Sequence, residues 1–304
     1  VNFIIHTHQS MASAVSVLEI KSIPSPGFSE LGENVPIADY GLPGSGKLRE
    51  NVGKAIERCG GHAVIMAHHG ALCFGECYEE AFRAARQLEE ACSAFMRGRY
   101  LEISGAQSFN EKEFYGFYAS KALGEGTLGK NPGLSGNSRR IKRGFIMESE
   151  NNKEYGFDDG VFSENALLHG AIYLKRKDVN FIEQATDGGL FEASYTGRPV
   201  LPMLDDFAQI IGDKAECAKS AKPEHVVMAL KNRAAVLIPG SGAVCCTAEK
   251  DDLNAVRFIM GKNMLAQICG EFFGSGRKLS LLDCAVMRFI YTKSYSKKAK
   301  NNYK

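Results

Sequence analysis

Val1-Asn2-Phe3-Ile4-Ile5-His6-Thr7-His8 and Ala63-Val64-Ile65-Met66-Ala67-His68-His69-Gly70 are the stretches on which the reading of this chain turns. Each is a run of apolar, β-favouring residues that ends in histidine, the pattern of a buried strand with polar side chains at its tip. The chain has seven histidines, and these stretches hold four of them. Side chains two apart on a strand share a face, so His6 and His8 point the same way. Gly70 stops the second run. If the two strands are neighbours, three imidazoles converge, which is the protein ligand set of a catalytic zinc with its fourth position open. The competing reading is that of packed core histidines, and the HxH pattern alone does not separate the two.

Composition narrows the class. The chain has 304 residues, 44% of them hydrophobic and 24% charged, which is a soluble globular composition with material for a real core. A net charge of +2 gives no global case for nucleic acid or an acidic membrane as partner. No apolar run approaches the roughly 20 residues of a membrane span, and no signal peptide is evident. The nine cysteines lie mostly in apolar or helical runs (Cys59, Cys73, Cys92, Cys269, Cys284), which reads as reduced thiols in a cytoplasm. Cys73 and Cys77 lack a second pair that would make them a metal site, and adjacent Cys245 and Cys246 read as packing.

Along the chain, Gln9 to Leu18 is expected to be helical, Ile23-Pro24-Ser25-Pro26-Gly27 breaks it, and Val35 to Tyr40 reads as a strand. Gly41 to Lys47 fits G-x-x-x-x-G-K, but Leu48 stands where a phosphate-binding loop needs Ser or Thr, and Pro43 removes a backbone donor. The loop is better read as the start of a helix over Lys47–Arg58, with an apolar stripe of Leu48, Val52, Ala55 and Ile56. Glu76 to Met96 is amphipathic, with Ala81, Ala85, Leu88, Cys92 and Phe95 at helical spacing and Glu79 and Glu80 in the first turn. Gly105 to Gly160 is glycine-rich and weakly periodic, with one helix expected at Glu111–Leu123. Its basic cluster of Arg139, Arg140, Lys142 and Arg143 reads as a solvated face.

The chain also repeats itself. Val1-Asn2-Phe3-Ile4 is identical to Val179-Asn180-Phe181-Ile182, Ala234-Ala235-Val236-Leu237-Ile238 resembles Ala63-Val64-Ile65-Met66, and Gly242-Ala243-Val244-Cys245 falls where Gly70-Ala71-Leu72-Cys73 falls. A period of about 175 residues means two copies of a domain and not a solenoid. His6 and His8 then correspond to Gln184 and Thr186, and His69 to Ser241. All three candidate ligands are lost together in the second copy, as expected if they act as one unit.

With these residues in view, the chain resembles the class II aldolase/adducin head family, which includes fuculose-phosphate aldolases and ribulose-phosphate 4-epimerase. The resemblance is carried by Val1–Leu18 with His6-Thr7-His8, Ile23-Pro24, the Gly44-Ser45-Gly46-Lys47-Leu48 turn into a helix, Ala67-His68-His69-Gly70, and the helix from Glu79 to Met96. It covers most of residues 1–100 and, weakly, about 160–275. It implies an α/β three-layer α/β/α sandwich around a mostly antiparallel sheet, a homo-oligomer, and Zn2+ or another divalent metal on His6, His8 and His69, with His68 a neighbour and not a ligand. It implies a sugar-phosphate substrate and a lyase that stabilises the enediolate left when a C–C bond breaks. Sugar-phosphate 4-epimerisation by the same retro-aldol step, or a non-catalytic adducin-like scaffold, are the alternatives.

The departures are specific. The family's catalytic carboxylate and phosphate loops would precede Val1, so the expectation is either a fragment or an incomplete first copy. In the second copy, counting back from His169 puts the carboxylate position on Asn165, one residue from Glu164. Gly136-Asn137-Ser138 faintly resembles the phosphate loop, and the family tyrosine after Ile-Pro is Phe28. No catalytic acid or base is therefore assigned. The expected organisation is a metal-bearing repeat at 1–104, an interdomain segment at 105–160, a degenerate repeat at 161–280 and a basic tail at 281–304.

Overall fold

The computed structural model describes residues 1–123 and 136–301. They form two compact units, one of Val1–Phe114, Pro202–Gln209 and the chain from Leu265 on, the other of Tyr115–Leu201 with Ile210–Met264.

The first unit opens with β1 (Phe3–Thr7), α1 (Ser10–Val15), β2 (Ser22–Pro24), β3 (Asn34–Ala38), α2 (Gly46–Glu57), β4 (Ala63–Met66), β5 (Gly70–Gly75) and α3 (Tyr78–Ser104). Its sheet runs β1-β5-β4-β3-β2. Every pairing is antiparallel except β3 with β4. Alternation along the strands sorts the two faces. Val64, Met66 and Phe74 pack with Val52 and Ala55 of α2. Ala63, Ile65, Ala71 and Cys73 are also buried, on the opposite face, where Cys92 of α3 approaches Cys73. Helices therefore cover both faces, as a helix–sheet–helix sandwich requires. The apolar stripe of α3 buries Ala81, Ala84, Ala85, Leu88, Ala91, Cys92 and Met96. The G-x-x-x-x-G-K loop serves as a helix start: Ser45 caps α2 by accepting a hydrogen bond from the Leu48 amide.

One expectation fails here. β1 is not a buried strand: Phe3 and Ile4 are 46% and 67% exposed. Among the described residues β1 is the edge of its sheet, so its composition reports β-propensity and not burial. β5, not β4, is its neighbour.

The chain continues through α4 (Glu111–Leu123), β6 (Asn137–Ile141), β7 (Gly144–Met147), β8 (Lys153–Gly156), α5 (Glu164–Lys175), β9 (Phe181–Ala185), α6 (Leu190–Ser194), α7 (Asp205–Ile210), α8 (Pro223–Leu230), β10 (Ala235–Ile238), β11 (Gly242–Thr247), α9 (Lys250–Phe272) and α10 (Leu281–Asn301). The second sheet runs β10-β11-β9-β6-β7-β8. Its core gathers Phe145, Tyr155, Tyr173, Ile182, Val236 and Val244. The stretch read as interdomain thus carries α4 and three strands of this sheet. Arg140, read as part of a solvated face, instead donates to the carbonyls of Tyr173, Arg176 and Val179, tying the end of α5 to the start of β9. The stretch read as a tail begins as α10, where Cys284 and Met287 pack against Ala208 and Leu279. Among the described residues, no helix is long and apolar enough to cross a membrane.

The two sheets share a three-strand pattern. β5 lies between β1 and β4, pairing His6 with Leu72 and Met66 with Gly70. β11 lies between β9 and β10, pairing Gln184 with Val244 and Ile238 with Gly242. The registers are those of the sequence alignment, residue for residue. The turns match too: His69 donates its amide to Met66 O at 3.1 Å, and Ser241 donates to Ile238 O at 2.9 Å.

Candidate metal centre

Three pieces of backbone bring the histidines together. β1 delivers His6, and the residue after it delivers His8. The chain turns sharply into α1 at that point, and the turn is fixed by α3. Glu89 accepts hydrogen bonds from the amides of Met11 and Ala12 at 2.8 and 3.0 Å, supplying the helix cap that Gln9 does not, and Gln9 itself donates to Ala85 O at 3.1 Å. The turn between β4 and β5 delivers His69. It is held by the Ala67 amide on Ala38 O at 3.1 Å and the His68 amide on Ser16 O at 3.2 Å. Gly70 is required by contact: a Cβ there would lie 2.2 Å from Thr7 O. The absent side chain lets the turn close on the end of β1.

The rings of His6 and His69 stack with centroids 4.7 Å apart, His6 and His8 stand 4.7 Å apart, and His8 and His69 5.0 Å. One nitrogen from each lies within 4.8 Å of the others. Nitrogens bound at about 2.0–2.1 Å to a shared tetrahedral ion stand about 3.4 Å apart, so the rings would have to draw together to bind one. Nδ1 of His8 is buried without a hydrogen-bond partner and lies 3.6 Å from Asp206 Oδ2. Burial, and then the charges that His69 and His8 would carry, lower the His6 imidazole to about 4, so it is a neutral lone-pair donor at neutral pH. Donor type and the orphaned nitrogen both fit a divalent ion.

Two neighbours were not legible in the sequence. The Asp205 carboxylate meets Nδ1 of His69, and Asp206 stands beside His8. Both lie on the Pro202–Gln209 segment, and no periodicity or motif around Leu204-Asp205-Asp206 marks them. They bring two carboxyl groups up to the three imidazoles. His68 faces away from the trio: its ring meets Met203 O through Nδ1 at 2.8 Å and Tyr40 edge-on at 5.4 Å. In the second unit the corresponding positions hold Gln184, Thr186 and Ser241, and the Gln184 amide donates to Ser241 O. Glu164 opens α5, capped by Ser163, and Asn165 follows it. A second grouping, Glu30, His62 and Glu80, is an ion-pair network in which Glu30 already binds Arg83 at 2.9 Å and His62 at 3.1 Å.

Residues 1–96 match the Class II Aldolase and Adducin N-terminal domain. An L-fuculose phosphate aldolase of Methanococcus maripaludis is 31% identical over 91 residues, which is 30% of this chain and 48% of that protein. The L-fuculose phosphate aldolase of Haemophilus influenzae is 28% identical over 99 residues, 32% of this chain and 44% of that protein. The chain thus spans about half the length of the curated relatives it matches. Among solved structures, an L-fuculose 1-phosphate aldolase aligns with a TM-score of 0.46 at 17% identity, over 60% of this chain and 95% of that chain. The L-fuculose-1-phosphate aldolase from Thermus thermophilus aligns with a TM-score of 0.39 at 18% identity, over 55% of this chain and 97% of that chain. The residues similar to the Class II Aldolase and Adducin N-terminal domain, 1–96, carry all three histidines of the centre.

Proposed function

We propose that His6, His8 and His69 hold a zinc ion and that the protein is an aldolase-type lyase acting on a keto-sugar phosphate in the cytoplasm. The observation that carries this reading is the convergence of three imidazoles at the meeting of β1 and the β4–β5 turn, within the residues that match the family. A divalent ion there supplies a Lewis acid that stabilises the negative charge left on the substrate when a C–C bond breaks. The chain's own contribution is to hold three imidazoles with a nitrogen of each within 4.8 Å of the others. Nine free cysteines suit a reducing compartment.

The shared strand order, register and turn of the two sheets support a tandem repeat whose second copy has given up the centre. In that copy the ligand positions carry an amide and hydroxyls, and Gln184 bonds to Ser241 across the former site. We infer that the second copy has a structural role. Adducin-like scaffolding remains the reading for the whole chain if turnover is absent, because no carboxylate occupies the position of Asn165.

The test is zinc-loaded protein assayed for release of dihydroxyacetone phosphate and aldehyde from fuculose 1-phosphate, with ribulose 5-phosphate epimerisation followed in parallel. Cleavage that disappears in His69→Ala supports the lyase. Epimerisation without net cleavage replaces it by the epimerase. Zinc bound without either activity favours the scaffold.

A further inference from the structure

Asp205 lies outside the 96 residues that match the family, yet its carboxylate meets Nδ1 of His69 in the candidate centre. The contact takes up one of the two ring nitrogens of His69. A neutral imidazole carries a single proton, and a carboxylate at Nδ1 keeps that proton on Nδ1, which leaves the lone pair on Nε2. The carboxyl group itself is deeply buried, with its residue 1% exposed and Oδ1 lacking a hydrogen-bond partner. Among the described residues, its ion pair is with His69. Burying a carboxylate beside an imidazole is costly, and a cation held by the other nitrogen of that ring offsets the cost.

The backbone delivers Asp205 without slack. Its amide donates to His68 O at 2.9 Å, the residue before His69. His68 Nδ1 reaches back to Met203 O at 2.8 Å. On the other side, the Leu279 amide donates to Pro202 O at 2.9 Å. The segment is therefore tied to the β4–β5 turn on both sides of Leu204.

We propose that Asp205 is a positioning residue of the metal centre: its carboxylate holds the His69 proton on Nδ1 and aims Nε2 at the ion shared with His6 and His8. The proposal rests on the metal reading above. It makes the Pro202–Gln209 segment, far from the histidines in sequence, part of what sets metal affinity.

The test uses the full chain, stripped of metal and titrated with Zn2+ and Co2+ against a chelator of known affinity. Wild type is expected to bind one equivalent. Asp205→Asn, which keeps shape but loses charge, is expected to bind about 10- to 100-fold more weakly and to shift the visible Co2+ absorption bands. Its circular dichroism should match wild type, and its metal-free melting temperature should not fall below the wild-type value. An unchanged affinity and spectrum in Asp205→Asn, with wild type still binding metal, overturns the positioning role and leaves the metal reading intact. No metal binding in wild type overturns both. Should Asp205→Asn fail to fold, the tautomer of His69 in zinc-loaded wild type decides the matter by 15N-imidazole NMR. A proton on Nδ1 supports the proposal, and a proton on Nε2 overturns it.

Discussion

His68 in the first sheet and Gly240 in the second occupy the same left-handed corner of the same turn, at φ 63° and 71°. Glycine adopts that conformation freely, whereas a residue with a Cβ gives up about 1–2 kcal/mol there. His68 offsets the cost with its bond to Met203 O and its edge contact with Tyr40. His68→Ala keeps the strain and loses both contacts, while His68→Gly loses the contacts and the strain together. Urea unfolding should find the glycine variant about 1 kcal/mol more stable than the alanine variant. Equal midpoints would mean that the corner is not strained.

Gly70 is expected to be intolerant for a different reason. An added methyl would meet Thr7 O at 2.2 Å, and both partners are backbone, so neither yields without moving a strand. Gly70→Ala should lose about 1–3 kcal/mol of stability. It should also weaken zinc uptake by the proposed centre, because β1 and the turn carry different histidines of the trio. Stability and metal content measured on the same preparation test this. A variant that keeps both refutes the close approach.

His169 gives the second unit a dependence on pH. It is 3% exposed and hydrogen-bonded through Nδ1 to Ser138 Oγ at 2.6 Å, and Ser138 in turn contacts Tyr173 OH at 2.8 Å. Burial lowers its imidazole to about 4. The unfolded chain takes up this proton near 6.5 and the folded chain does not until about 4. Stability is therefore intact above about 6.5 and lost as pH falls between those values, by roughly 3 kcal/mol in full. His169→Gln should flatten the slope of unfolding free energy against pH over that window, as measured by urea titrations from about pH 7.5 to about 4.5. An identical slope in the variant would assign the effect elsewhere.

The legible part of this structure was local. The apolar runs before His6 and His68, the stripe of α3 and the start of α2 all announce themselves within one element, and a helix is present at Glu111–Leu123, around where it is expected. What was not legible needed tertiary context. Asn137-Ser138-Arg139-Arg140-Ile141 is too polar to read as a strand, and it becomes one because β7 and β9 flank it and Arg140 finds three carbonyls. The exposure of β1 follows from its place at the edge of the sheet, which composition does not encode. Asp205 reaches His69 across 136 residues of chain, so nothing near the histidines could have named it.

Metal stoichiometry is the most direct test of the centre itself. Purified chain reconstituted with zinc and desalted should hold about one zinc per molecule by elemental analysis, close to none in His6→Ala or His69→Ala, and an unchanged amount in His62→Ala, whose network with Glu30 and Arg83 is complete without an ion. Wild type that retains no zinc, or His69→Ala that retains all of it, would contradict the assignment of His6, His8 and His69.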